Sequence, residues 1–104
     1  MSVEALKSKF VPSFKAVGER KFYRNLLVYA TSQLMNVEKG LYKGASPETV
    51  FLGCCDQFII LYRREGEEIY LDLARAFRRA AHKIYRVMLK KSMTQRSSRF
   101  LNLV

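Results

Sequence analysis

Residues 68–91 read EIYLDLARAFRRAAHKIYRVMLKK, and this stretch decides the fold. Its apolar residues recur at the 3.6-residue spacing of a helix: Tyr70, Leu73, Phe77, Ala81, Ile84 and Met88. At 100° per residue, a second and basic set lies close to the opposite side: Arg75, Arg79, His82, Arg86 and Lys90. The pattern predicts a long amphipathic helix to about Lys91, with one side in the core and a basic side in solvent.

The helix before it has the clearest start signal in the chain, Ser46-Pro47-Glu48. This triplet offers a side-chain cap, a proline at the first helical position and an acid facing the helix dipole, which predicts a helix from Pro47 to about Arg64. The middle of that helix is apolar on nearly every side, so it should be central or contribute to an interface. Glu65-Gly66 should end it, and so tight a connection predicts that the last two helices are antiparallel neighbours.

Two earlier helices complete the prediction. Apolar spacing predicts a helix over residues 19–39, which Gly40 should end in the left-handed conformation. The same spacing predicts a first helix over residues 2–17. Pro12 lies inside that first helix and removes a backbone donor, so we expect a kink or two short helices there.

Together these elements predict an all-α fold: a small antiparallel up-and-down bundle of three long helices, preceded by a kinked N-terminal helix. The chain has 104 residues, which fits one domain. We assign residues 1–91 to the helical bundle and residues 92–104 to a C-terminal tail that begins polar and ends apolar. Such an end usually packs back on the domain or belongs to a partner contact.

Composition and charge narrow the class of protein. Hydrophobic residues make up 49% of the chain, too many for disorder, and no apolar run approaches the roughly 20 residues of a membrane span. Residues 73–104 hold nine basic residues and no acid, and so carry most of the net charge of +10. This block favours an acidic partner: nucleic acid, an anionic membrane surface or an acidic protein segment. Membrane insertion is not expected, because the core needs the apolar side of the last helix.

The two cysteines indicate the redox state of the compartment in which the protein works. Cys54 and Cys55 are adjacent, and a disulfide between them would be badly strained on a helix. We expect two buried, reduced thiols and hence a reducing intracellular compartment, cytoplasm or nucleus. Lysines interrupt the first residues before any apolar run forms, so no secretory signal is expected.

Catalysis is not expected. The chain has no glycine-rich phosphate loop, no His-Glu metal spacing and no nucleophile elbow, so we predict a non-enzymatic protein without a metal or cofactor. His82 has arginines as its turn neighbours and no carboxylate at helical spacing, and we interpret it as a surface residue. Asp56 should face the solvated edge of the third helix or pair with a basic side chain from another element.

Two groups of candidate binding residues remain. We call the first the basic face; it would meet phosphates or acidic side chains and comprises Arg75, Arg78, Arg79, His82, Lys83, Arg86 and Lys90. The second group is apolar or aromatic and would contact a protein partner: Tyr85, Phe100, Leu101 and Leu103.

The leading hypothesis is a non-enzymatic protein-interaction module, an adaptor or assembly factor. An acidic segment or helix of the partner would place apolar anchors in a groove between helices, and the basic face would steer it. A second copy of the chain is another candidate partner, because so small a bundle rarely covers a helix as apolar as the third. The alternative is a nucleic-acid-binding protein that reads the shape of double-stranded RNA or DNA with the basic face.

Overall fold

The computed structural model describes residues 2–40 and 44–102, and within them the side chains of residues 2–37, 39–40 and 44–90. It contains four α-helices: α1 (Val3–Val17), α2 (Glu19–Glu38), α3 (Pro47–Glu65) and α4 (Glu68–Asn102). The described residues include no strand, so the predicted all-α class is confirmed. The antiparallel order of the helices and the kink at Pro12 stay predictions.

Local capping explains where α1 and α3 begin. The Ser2 hydroxyl accepts a hydrogen bond from the backbone N–H of Ala5 at 3.2 Å, at the start of α1. The Ser46 hydroxyl accepts one from the backbone N–H of Thr49 at 3.4 Å, at the start of α3. Each bond satisfies one of the amide donors that a helix leaves without an internal partner, and both starts are where the sequence predicts them.

Glycine explains where α2 and α3 end. Gly40 and Gly66 both have φ of 73°, in the left-handed region that a residue with a side chain rarely adopts. The N–H of Gly66 donates to the carbonyl of Tyr62 at 2.7 Å, which closes the last turn of α3. The predicted stops are therefore confirmed.

α1 is one continuous helix with Pro12 inside it, so the alternative of two short helices is wrong. The proline removes one backbone hydrogen bond. Packing on both sides of it holds the helix together, because Phe10, Val11 and Phe14 are all partly buried against the core.

α4 is longer than predicted, since it runs to Asn102 and not to about Lys91. The residues between these two positions include no Gly or Pro, so nothing in the sequence forces the helix to stop. Its 35 residues span about 52 Å at a rise of about 1.5 Å per residue. This helix explains why the molecule is 58 Å long and only 23 Å and 22 Å across. The division into a domain of residues 1–91 and a tail of residues 92–104 stays a prediction.

Phenylalanine rings form the centre of the core. Phe58 and Phe77 are buried, with 0% and 1% of their surface exposed, and their rings stack at 5.9 Å between centroids. Phe77 also meets the rings of Phe10, Phe22 and Phe51 edge-on, at 5.0, 5.7 and 5.8 Å. One side chain of α4 thus joins α1, α2 and α3 through aromatic contacts.

The predicted core stripe of α4 is confirmed from Tyr70 to Ile84, and Met88 at its end is partly buried. In α3, Cys54 and Cys55 are buried as expected, and this burial raises the pKa of both thiols. Asp56 is exposed, as expected for the solvated edge of that helix.

Candidate functional site

The basic face is exposed along its whole length. Each of its seven residues, from Arg75 to Lys90, lies on the solvent side of α4, while the intervening positions that face the other helices are buried. No acidic residue lies between positions 73 and 90, so positive charge is uninterrupted over roughly 23 Å, from about 1.5 Å per residue. The sequence therefore placed this set of side chains correctly on one surface.

Two arginines of the basic face contact other residues. Arg75 lies 3.9 Å from the carboxylate of Asp72, one turn earlier in α4. The guanidinium of Arg79 lies over the ring of Tyr23 in α2, 4.5 Å from its centroid, a cation–π contact. Arg78, Lys83 and Arg86 form no ion pair with any carboxylate among the described side chains. The described carboxylates therefore leave the charges of these three residues uncompensated.

α2 adds a basic feature that the sequence analysis missed. A cleft of about 630 Å³ lies between α2 and α4, and we call it the basic cleft; its lining residues are Glu19, Arg20, Tyr23, Arg24, Leu27, Ala76 and Arg79. The α2 residues follow the spacing of one helix side, which is the signal that could have grouped them. Only the packing of α2 on α4 brings them beside Arg79.

A second opening is apolar. It lies between α1, α2 and α3 and has a volume of about 620 Å³; we call it the apolar groove. Phe77 of α4 lies at its floor, and its other apolar lining residues are Leu6, Phe10, Phe22, Leu26, Tyr29, Val50, Phe51 and Cys54. Its remaining lining residues are Lys9, Ser13, Asn25, Gly53 and Gln57, so the lining carries a cation and no acid.

The apolar groove and the basic face lie on opposite sides of α4. Phe77 and Arg86 are nine residues apart, which places them about 180° apart around the helix. A helix is about 10 Å thick, whereas salt screens exposed charges beyond about 8 Å under physiological conditions. The local cation for a ligand in the apolar groove is therefore Lys9, whose ammonium lies 5.2 Å from the ring centroid of Phe10.

Of the four predicted apolar contact residues, Tyr85 is the one whose side chain the structure describes, and it lies apart from the apolar groove. Tyr85 is 48% exposed on α4 and is not among the groove's lining residues. Phe100, Leu101 and Leu103 lie outside the side chains that the structure describes. The apolar residues of the groove come from all four helices, and in the sequence each of them resembles an ordinary core residue.

An ion pair holds α1, which forms one wall of the apolar groove, to the end of α3. The Lys7 ammonium donates to both carboxylate oxygens of Glu65, at 3.1 and 3.0 Å. This hydrogen bond raises the pKa of Lys7 and is the main cause that lowers the pKa of Glu65. Arg64 lies 3.5 Å from Glu65 and 3.8 Å from Glu4, which extends the network on the surface.

The ion pair predicts a pH dependence. Because the pKa of Glu65 is lowered in the folded protein, its stabilisation is present above the pKa of the unfolded chain and is lost as pH falls through the folded value. We expect Glu65→Gln to lower the melting temperature at pH 7, with the difference from wild type disappearing in acid. Thermal unfolding by circular dichroism between pH 7 and pH 3 measures it. Asp56→Asn, at an exposed position of α3 that forms no ion pair among the described side chains, is the control; an equal effect there would contradict the prediction.

Two absences among the described residues concern metal binding and membranes. No three His, Cys, Asp or Glu side chains in this part of the chain are grouped so that they could hold a metal ion. Within the same residues, none of the helices combines the length and apolar character that crossing a membrane requires.

Comparison of the chain with protein-family models, with curated proteins and with solved structures gives no match. The fold and its two openings are therefore the basis for a functional proposal.

Proposed function

We propose that this protein is a non-enzymatic interaction module of the adaptor or assembly type, which binds an amphipathic helix of a partner protein in the apolar groove. The observation that carries the proposal is the open groove with an aromatic floor. Its volume of about 620 Å³ is within the range of ligand-binding pockets, roughly 300–1,000 Å³. A helix laid in a groove presents side chains at i, i+4 and i+7, and each one buried gains about 1.5–3 kcal/mol.

Exposed apolar side chains at the groove support a protein partner. Tyr29 and Val50 both line the groove, and they are 50% and 40% exposed. Tyr29 already packs against Phe51 at 6.4 Å between ring centroids, so it offers a positioned aromatic surface to a ligand. Aromatic residues of this kind are enriched in the energetically important centres of protein interfaces.

The charge of the lining sets the chemistry of the partner. Lys9 is the charged residue of the groove lining, and Ser13, Asn25 and Gln57 add hydrogen-bonding groups. An acidic residue beside the apolar anchors of the partner helix would pair with Lys9. An exposed pair of this kind is worth about 0.2–1 kcal/mol, so the anchors supply the affinity and the acid supplies orientation.

The proposal includes the antiparallel up-and-down order and a kink at Pro12. The connection between α3 and α4 is only Gly66-Glu67, and α4 packs most extensively against α3. A connection of this length supports antiparallel neighbours. A kink at Pro12 would bend α1 over the apolar groove, between Phe10 and Phe14.

Gly53 offers a sharp test of the groove. It lines the groove inside α3, and a Cβ added there has no atom within 4 Å. Gly53→Leu therefore adds a side chain to the lining of the groove while replacing a helix-interior glycine, which by itself favours folding by about 0.5–1 kcal/mol. We expect at least tenfold weaker binding of groove ligands without a lower melting temperature. Ser32→Leu, which adds the same side chain at an exposed α2 position outside the groove, should change affinity less than twofold.

The ligands for this test come from selection of a phage-displayed library of helical peptides on the wild-type protein. We expect the enriched peptides to carry acidic residues beside leucine or phenylalanine anchors. Isothermal titration calorimetry then compares wild type, Gly53→Leu and Ser32→Leu. Equal affinity for all three would overturn the proposal. A wild-type dimer in sedimentation equilibrium that Gly53→Leu dissociates would instead identify a second copy as the occupant.

A second candidate function is binding of double-stranded nucleic acid by the basic face. The observation that favours it is the uninterrupted, exposed row of cations on α4. A rigid row of this kind suits phosphate contacts, which depend steeply on salt and carry no base sequence information.

A further inference from the structure

The basic cleft between α2 and α4 combines three arginines from two helices. Arg20 and Arg24 are one turn apart on α2, and Arg79 comes from α4. None of them forms an ion pair with a carboxylate among the described side chains. Arginine presents a planar fork of donors that matches the oxygens of a phosphate, so three in one cleft are suited to that group.

We propose that the basic cleft is a phosphate-binding site and that its occupant is a backbone phosphate of a nucleic-acid duplex lying along the basic face. Arg79 belongs to both surfaces, which makes the cleft continuous with the row of cations on α4. The inference rests on the second candidate function. It extends the proposed interface from α4 to α2 and adds Arg20 and Arg24, which are not part of the basic face.

The contact between Arg79 and Tyr23 favours a duplex over a single strand. The Arg79 guanidinium covers one side of the Tyr23 ring at 4.5 Å, where a single-stranded base would otherwise stack. The same contact holds the guanidinium in place, which reduces the side-chain entropy lost when it binds.

Glu19 provides a substitution that should change phosphate affinity in the direction opposite to the arginine substitutions. Its carboxylate lines the same cleft and would repel a phosphate there. Removing this charge should strengthen binding, whereas removing the arginines should weaken it. Two substitutions in one cleft with opposite expected effects separate a phosphate site from a general loss of structure.

The experiment measures fluorescence anisotropy of a labelled 20-base-pair RNA duplex and its DNA counterpart over a series of salt concentrations. Arg20→Gln/Arg24→Gln is compared with Lys15→Gln/Lys21→Gln, which removes the same charge from exposed positions outside the cleft. We expect at least tenfold weaker binding for the arginine pair at 150 mM salt, and less than threefold for the lysine pair. The salt slope of the double arginine variant should be smaller than that of wild type by about 1, because the contact with one phosphate is lost. Glu19→Gln should bind more tightly than wild type.

The outcomes separate the inference from the function on which it rests. One outcome is that Arg78→Gln/Arg86→Gln weakens duplex binding while Arg20→Gln/Arg24→Gln binds as well as the double lysine variant. The basic cleft is then outside the interface, so the inference is wrong while the second candidate function stands. If wild type binds neither duplex at physiological salt, the second candidate function fails. In that case inorganic phosphate is added to the wild-type protein. If it shifts the amide resonances of Arg20 and Arg24, the cleft binds a lone phosphate, and the proposal that its occupant is a duplex is wrong.

Discussion

Replacing Phe77 with alanine should lower the free energy of unfolding by about 3–5 kcal/mol. The ring is 1% exposed and contacts phenylalanines from the three other helices, so its removal leaves a cavity where all four helices meet. Small domains are stable by only about 5–15 kcal/mol, so this loss is a large fraction of the total. Urea unfolding followed by circular dichroism measures it.

The control for Phe77→Ala is Leu89→Ala, at a position of α4 that is 43% exposed. We expect Leu89→Ala to cost under about 1 kcal/mol, because little buried surface is removed. Phe77→Leu should recover part of the loss, since leucine refills part of the volume. A Phe77→Ala protein as stable as Leu89→Ala would show that the aromatic cluster is not the centre of the core.

Reversing the charge of two basic-face residues, Arg79→Glu/Arg86→Glu, should abolish duplex binding, with affinity falling about a hundredfold or more at physiological salt. Each substitution would remove a proposed phosphate contact and add a repulsive carboxylate. The same protein should bind groove-selected peptides within about twofold of wild type, because the apolar groove is on the far side of α4. Anisotropy with the duplex and calorimetry with the peptide measure the two effects.

The reversal distinguishes the two candidate functions. Lys15→Glu/Lys21→Glu changes the net charge equally at exposed positions outside the basic face, and we expect it to weaken duplex binding far less. Equal losses in both proteins would mean that the duplex responds to net charge alone. A loss of peptide binding in Arg79→Glu/Arg86→Glu would show that the basic face takes part in the leading function.

The local chemistry of the sequence was enough to predict the helices. A serine cap, a proline at the first turn and a glycine stop each act over four or five residues, and the structure uses them at Ser46, Pro47 and Gly66. The local sequence pattern was less informative about where a helix ends when no residue type opposes its continuation. The residues after Lys91 contain no breaker, and α4 continues through them to Asn102.

The basic face was also predictable, because it belongs to one helix. Its residues share an angle around α4, and that angle follows from sequence spacing alone. The apolar groove and the basic cleft were not predictable in the same way. Leu6 and Phe77 meet at the groove from positions 71 residues apart, and Arg20 meets Arg79 from positions 59 apart.

The sequence by itself therefore determined the all-α class, the start and stop of most helices and the exposed cations of α4. These depend on propensity, capping and periodicity within one segment. Only the tertiary structure decided that α1, α2 and α3 leave an aromatic groove open, and that α2 places two arginines beside α4. The physical reason is that both openings are set by how helices pack against one another, and side chains distant in sequence become neighbours only through that packing.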